Sequence, residues 1–184
     1  MTRYFEEECL EFRSSGGGPV PLGQSVFLCY AREDRKWIDR FKAIFRPYVR
    51  QARLTTWDDE EIRVGDDWHH RIQERVRAAK AVVLFISRDF LASDYIATSE
   101  LPAFLRKRRT DDRVRIFPIL VSPSLWDDVE FRYPDPSTGP HSFKLSTLQA
   151  VNREECTLVE MPEPEQDRVL ISVAKGINTL LGDA

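Results

Sequence analysis

Cysteine is scarce in this 184-residue chain, and the three present, Cys9, Cys29 and Cys156, lie far apart. A scattered, odd-numbered set has no C-x-x-C spacing. It argues against a zinc site or a disulfide framework and suits a reducing, cytoplasmic setting. Long apolar runs are also missing, since none approaches the roughly 18 residues that would span a bilayer. The acidic opening MTRYFEEECLEF does not have the form of a signal peptide. No excess of either charge exists: a net charge of −3 gives no whole-surface attraction to nucleic acid or to a membrane. Glycine is limited to 8 residues, and neither G-x-G-x-x-G nor a G-x-x-x-x-G-K-[ST] phosphate loop occurs. His69-His70 lacks the H-E-x-x-H spacing, and no serine sits in a G-x-S-x-G elbow. No resident metal or cofactor is therefore expected.

What is present is a globular balance, 42% apolar and 31% charged. Residues 1–24 read as an appendage: a short helical stretch, then the linker Ser14-Ser15-Gly16-Gly17-Gly18-Pro19. The triple glycine precedes the first strand, whereas nucleotide loops follow one, so it reads as a linker. From residue 25 onward, strands and helices alternate. Val26–Tyr30 is a short apolar run, hence a buried strand. Ile38, Phe41, Phe45 and Tyr48 recur at helical steps behind Asp34, a candidate cap. Arg53–Trp57 gives a second strand. Trp68, Ile72, Val76 and Ala79 mark a second helix, and Ala81–Ile86 a third strand. Val114–Val121 gives a fourth, in which Pro118 implies an edge position or a bulge. Residues 122–147 read as loop, and Leu148–Val151 as a short fifth strand. A final helix opens at Glu163-Pro164-Glu165 and buries Val169, Val173, Ile177 and Leu181.

This alternation predicts an α/β fold. It is a flavodoxin-like three-layer sandwich with a parallel sheet of about five strands, order 2-1-3-4-5, and helices on both faces. Ligands of such sheets bind at the carboxyl ends of the strands, near the switch point between strands 1 and 3. Here that edge carries Tyr30-Ala31-Arg32 and Ser87. A phosphoreceiver domain shares the fold, but its acids belong at the ends of strands 1 and 3, and here they follow strand 2. The run Asp58-Asp59-Glu60-Glu61 reads as solvated surface rather than a cation site. The run Arg106-Lys107-Arg108-Arg109 reads as a complement to a helix dipole rather than a nucleic-acid patch.

One stretch breaks its own pattern. ASDYIATSELPAF, residues 92–104, has helical spacing, with Ile96, Ala97, Leu101 and Phe104 on one apolar arc, yet Glu100 lies inside that arc. A carboxylate there is costly without a partner or a job. From the pattern alone both readings stand: a core-edge acid paired with an arginine, or a functional group.

Four elements in order resemble a TIR (Toll/interleukin-1 receptor) domain. Val26-Phe27-Leu28-Cys29-Tyr30-Ala31-Arg32-Glu33-Asp34 is similar to the family opening F-[IV]-S-Y-[AS]-x-x-D. Leu54–Asp59 running through Ile62-Arg63-Val64-Gly65-Asp66-Asp67-Trp68 resembles the second strand and BB loop. Ile86–Tyr95 with Glu100-Leu101-Pro102 forms the third element, and Phe117–Trp126 the fourth. The resemblance covers about residues 25–181, within a domain assigned to 25–184, and looks most like prokaryotic members.

That resemblance implies an NAD+ glycohydrolase. It would cleave the nicotinamide–ribose bond to give nicotinamide and ADP-ribose or a cyclic variant, with NAD+ as substrate and no separate cofactor. The family's catalytic glutamate falls on Glu100. Tyr95 is the neighbouring aromatic, five residues before the acid where many members have tryptophan at four. Cys29 stands where serine is usual. The resemblance places Tyr30 and Arg32 near the nucleotide, with Arg32 suited to a phosphate. Trp57, Asp58 and the BB loop, Ile62, Arg63, Val64, Gly65 and Asp66, would line the other wall. It also implies activation by TIR–TIR self-association through that loop, in immune or antiphage defence, with a fused or separate sensor domain. The alternatives are a non-enzymatic TIR interaction module and a fragment of a larger receptor.

Overall fold

The structure is a computed structural model that describes residues 25–52, 55–57, 76, 78–133, 139–153 and 155–182. The appendage 1–24, Asp58, the loop Ile62–Asp66 and the helical positions Trp68 and Ile72 lie outside the described residues.

Strand β1, Ser25–Tyr30, is apolar over most of its length because it is covered on both faces. Helix α1, Arg35–Ala52, follows a single 3-10 turn at Arg32–Asp34. Strand β2, Thr55–Trp57, lies parallel to β1, and β3, Ala79–Ile86, lies parallel to its other side. Strand β4, Arg115–Leu120, extends the sheet beyond β3, giving the order β2-β1-β3-β4. The chain is thus an α/β fold with a parallel, flavodoxin-like sheet. Ala79, expected on a helix face, is instead the first residue of β3.

Alternate side chains of each strand enter opposite layers. Val26, Leu28 and Tyr30 pack with Ile38, Phe41 and Phe45 of α1, and with Leu170, Val173 and Ile177 of the last helix, α4, Glu163–Gly182. Phe27, Cys29 and Ala31 face the other layer, with Leu101, Phe104 and Leu105. There Phe27 and Phe104 meet edge to face, ring centroids 4.7 Å apart. Such a pair adds about 0.5–1.5 kcal/mol to the burial itself.

Two expectations need correction. The fifth strand is not formed among the described residues. Leu148–Val151 is irregular and touches β4 by one ladder-like bond, Val151 N–H to the Pro118 carbonyl at 2.8 Å. The next pairing is supplied by a side chain. Asn152 Oδ1 accepts the Leu120 N–H, and its Nδ2 donates to the Leu120 carbonyl, both at 2.9 Å. A carboxamide carries the same donor and acceptor as a peptide unit, so Asn152 ends the sheet without a strand. Pro118 accordingly lies in the edge strand of the four-stranded sheet. The region read as loop also holds an antiparallel hairpin, β5, Glu130–Tyr133, and β6, His141–Lys144. Its Phe131 and Tyr133 point into the Phe104 layer.

The helix expected after β3, which Pro102 was expected to kink or restart just past Glu100, is three segments. Helix α2, Arg88–Ala92, ends at Ser93. A π turn spans Ile96–Glu100, and α3 runs Leu101–Thr110. Pro102 explains the break, because it has no N–H for a bond to the Thr98 carbonyl and its ring crowds that oxygen. The Leu101 N–H reaches back to Ile96 instead, five residues away. Among the described residues no helix is long and apolar enough to cross a membrane.

Candidate functional site

The C-terminal ends of β1 and β3 lie side by side, with β2 beyond β1 and β4 beyond β3. The chain leaves them in different directions, which opens a crevice at the switch point. Three hydrogen bonds shape its rim. Ser87, at the end of β3, caps α2 by accepting the Phe90 N–H at 3.0 Å, and donates to Asp34 Oδ2 at 2.6 Å. The Asp34 N–H closes the 3-10 turn onto the Ala31 carbonyl at 2.8 Å. Asp34 therefore ties the Arg32–Asp34 turn to β3, a task other than the helix cap expected of it. It is 6% exposed, and burial raises its carboxyl above the ordinary value while the Ser87 hydroxyl pulls it back.

The resulting cleft has a volume of about 380 Å³, within the roughly 300–1,000 Å³ of small-molecule sites. Its walls include Tyr30, Arg32, Glu33, Asp89, Tyr95 and Glu100. The Tyr30 hydroxyl accepts Arg35 Nη1 at 3.3 Å, and Arg35 Nε donates to Asp39 Oδ1 at 2.9 Å. That chain fixes the phenol, and the Asp39 hydrogen bond raises the already high pKa of Arg35 further. Arg32 is exposed at the rim. With Glu33, Asp89 and Glu100 beside one arginine, the cleft is mainly acidic.

Glu100 is 3% exposed and accepts the Cys29 thiol at its Oε2, 2.9 Å away. That thiol comes from β1, in the layer beneath the helix that carries the acid. The π turn accounts for the spacing to Tyr95. In an i-to-i+5 turn, residues five apart stand one turn apart, so Tyr95 and Glu100 share the cleft wall despite the extra residue between them.

Of the site residues expected from sequence, Tyr30, Arg32, Tyr95 and Glu100 come together. Ser87 does not line the cleft: its hydroxyl serves Asp34 and α2. Trp57 is described as backbone at the end of β2, and Asp58 and the BB loop fall outside the described residues. Sequence reasoning missed Glu33, Asp89 and the Cys29–Glu100 contact. Strand parity held a clue to the last, since Cys29 shares the face of Phe27 and Ala31, which packs beneath the Glu100 helix. Among the described residues no group of three or more His, Cys, Asp or Glu could hold a metal ion.

A family model for the TIR domain matches residues 26–155, most of the chain and all of the elements that build this crevice. The chain belongs to the TIR domain family. One curated relative is the uncharacterized protein y4lF of Sinorhizobium fredii (strain NBRC 101917 / NGR234), 25% identical over 158 residues. The alignment covers 86% of this TIR chain but 44% of that relative, so the chain spans less than half of the relative's length. Among solved structures, the TIR domain of the Toll-related receptor TRR-2 from Hydra magnipapillata aligns at 21% identity and a TM-score of 0.36. It covers 52% of this chain and 68% of its own. The TIR domains of the activated Roq1 resistosome, which directly recognizes the pathogen effector XopQ, align at 18% identity with a TM-score of 0.44, covering 88% and 85%.

Proposed function

We propose that this TIR domain cleaves the nicotinamide–ribose bond of NAD+, with Glu100 as the catalytic carboxylate. One observation carries the reading: a nearly buried carboxylate on the wall of the cleft at the switch point of a parallel sheet. Nicotinamide leaves with the bonding electron pair, which discharges its ring and leaves positive charge on the ribose. An anion held at that centre stabilises the oxocarbenium-like state. Water then adds to the same carbon and loses a proton, giving ADP-ribose; attack by a group of the nucleotide itself would give a cyclic product. The acidic lining suits the cationic nicotinamide ring, Arg32 suits the pyrophosphate, and Tyr95 offers a stacking face. The remaining wall, from Trp57, Asp58 and Ile62–Asp66, would be completed by a neighbouring TIR domain, so activity would require self-association. A cytoplasmic role in immune or antiphage defence, coupled to a sensor domain, goes with this reading.

The test is nicotinamide release from NAD+ by concentrated protein, alone and clustered by crowding or by fusion to an oligomer. Glu100→Gln and Glu100→Ala are expected to lose about 100-fold or more in turnover. Silence of the clustered wild type refutes the enzyme. Equal turnover in the variants refutes the role of Glu100. One observation favours a second reading, a non-enzymatic interaction module: at 3% exposure, with a thiol on Oε2, Glu100 is well accommodated as a structural group.

A further inference from the structure

Cys29 and Glu100 are 71 residues apart in sequence, yet their side chains meet at 2.9 Å. Cys29 is fully buried on β1, and its side chain enters the layer formed by Phe27, Leu84, Ile86 and Leu101. A carboxylate reaching that layer needs hydrogen-bond donors, because apolar neighbours offer no solvation. β1 is an inner strand of the sheet, paired on both sides by parallel strands. The helix bearing Glu100 is by contrast interrupted, with a π turn ending at the acid itself.

We infer that Cys29 is the positioning residue of Glu100: its thiol fixes the side-chain rotamer of the carboxylate and so registers a broken helix against the central strand. The inference rests on Glu100 being the catalytic carboxylate. Cys29 itself lies under the cleft wall, does not line it and touches no substrate. The π turn supplies backbone placement, and the Sγ–H supplies side-chain placement. An oxygen pinned to β1 holds its distance to Tyr30, on the same strand, and to Tyr95, one turn back. That fixed spacing is what preorganised charge stabilisation requires.

Two substitutions separate this role from simple packing. Cys29→Val fills the site with an apolar group and no donor. Cys29→Ser keeps a donor at the cost of apolar fit. A thiol that merely packs predicts that valine is the better replacement in both stability and turnover. A positioning thiol predicts the reverse order in turnover: serine within a few-fold of wild type, valine down about tenfold in kcat with KM unchanged, whatever their melting temperatures. The bond is also read without activity. The S–H stretching band, assigned by its loss in Cys29→Ser, should move to higher frequency in Glu100→Ala. Valine with wild-type kcat beside an active wild type overturns the inference and leaves the NAD+ reading standing. A clustered wild type that releases no nicotinamide removes the NAD+ reading and the positioning role with it. An S–H band unmoved by Glu100→Ala overturns the bond itself.

Discussion

Asn152 ends the sheet with a side chain where a strand was expected, and that substitution of roles can be measured. Its carboxamide makes three bonds, two to the Leu120 N–H and carbonyl and one to the Cys156 carbonyl at 3.1 Å. Leu120 is 1% exposed and Asn152 7%, so truncation to alanine strands two buried backbone groups. Each orphaned group costs about 1–3 kcal/mol. The Cys156 carbonyl belongs to a partly exposed residue that water can serve. A water entering the vacated volume can also partner Leu120 in part, so the expected loss for Asn152→Ala is about 2–4 kcal/mol. Asn152→Leu fills the space, admits no water and should lose at least as much, although it is the more apolar residue. With a urea slope of about 2 kcal/mol/M, the midpoint falls by about 1–2 M in each variant. Amide exchange at Leu120 should accelerate in both. A shift smaller than about 0.5 kcal/mol, the scatter of ordinary surface substitutions, with an unchanged Leu120 amide would refute the assignment of a strand's role to this side chain.

Two further outcomes follow from polar groups that are buried or half-buried. Lys107 Nζ donates to the Val76 carbonyl at 2.7 Å and to that of Ala79, and its pKa is pushed down to about 8, first by burial, then by the Lys80 cation, with Asp111 pulling the other way. Between about 8 and the ordinary 10.5 the unfolded chain binds more protons than the folded one, so stability should rise with pH across that window. Denaturation midpoints at pH 7.5 and 10 should show the rise, and Lys107→Met should flatten it; an identical slope in the variant would sink the assignment. Ser87→Ala removes the cap of α2 and the donor to Asp34, and is expected to cost about 1–2 kcal/mol. Burial raises the Asp34 carboxyl, so its contribution falls as pH rises through its folded value. With the Ser87 donor gone that penalty grows, and the loss of melting temperature should be larger at pH 7 than at pH 4.

The elements that sequence reasoning located are those whose periodicity is set by burial on one or both faces. β1 and β3 are continuous apolar runs because both faces are covered, and α1 shows Ile38, Phe41 and Phe45 at helical spacing because one stripe meets the sheet. The fifth strand failed where a single asparagine does the pairing, and no apolar pattern records a carboxamide that mimics a peptide. The β5–β6 hairpin was hidden among loop residues, although Phe131 and Tyr133 alternate with exposed Glu130 and Arg132 in the manner of a one-sided strand. At the cleft, Tyr30 and Arg32 were expected from the end of the first strand, Glu100 from the misfit in its helix, and Tyr95 from the family resemblance alone; the four do share one wall. Ser87 was placed at the correct edge, but its neighbour Asp34 draws its hydroxyl inward, a contact spanning 53 residues that spacing cannot disclose.

The widened turn at Ile96–Glu100 has a consequence for how this helix keeps its faces in register. An added residue in an ordinary α-helix rotates everything beyond it by about 100°, which would turn a buried stripe to solvent. Here the surplus is taken up within one turn. Leu101, Phe104 and Leu105 remain buried beyond it, and Tyr95 and Glu100 still share a wall. A turn one residue wider than an α-turn is therefore absorbed at this point without turning the buried stripe out of the core or parting the two cleft residues.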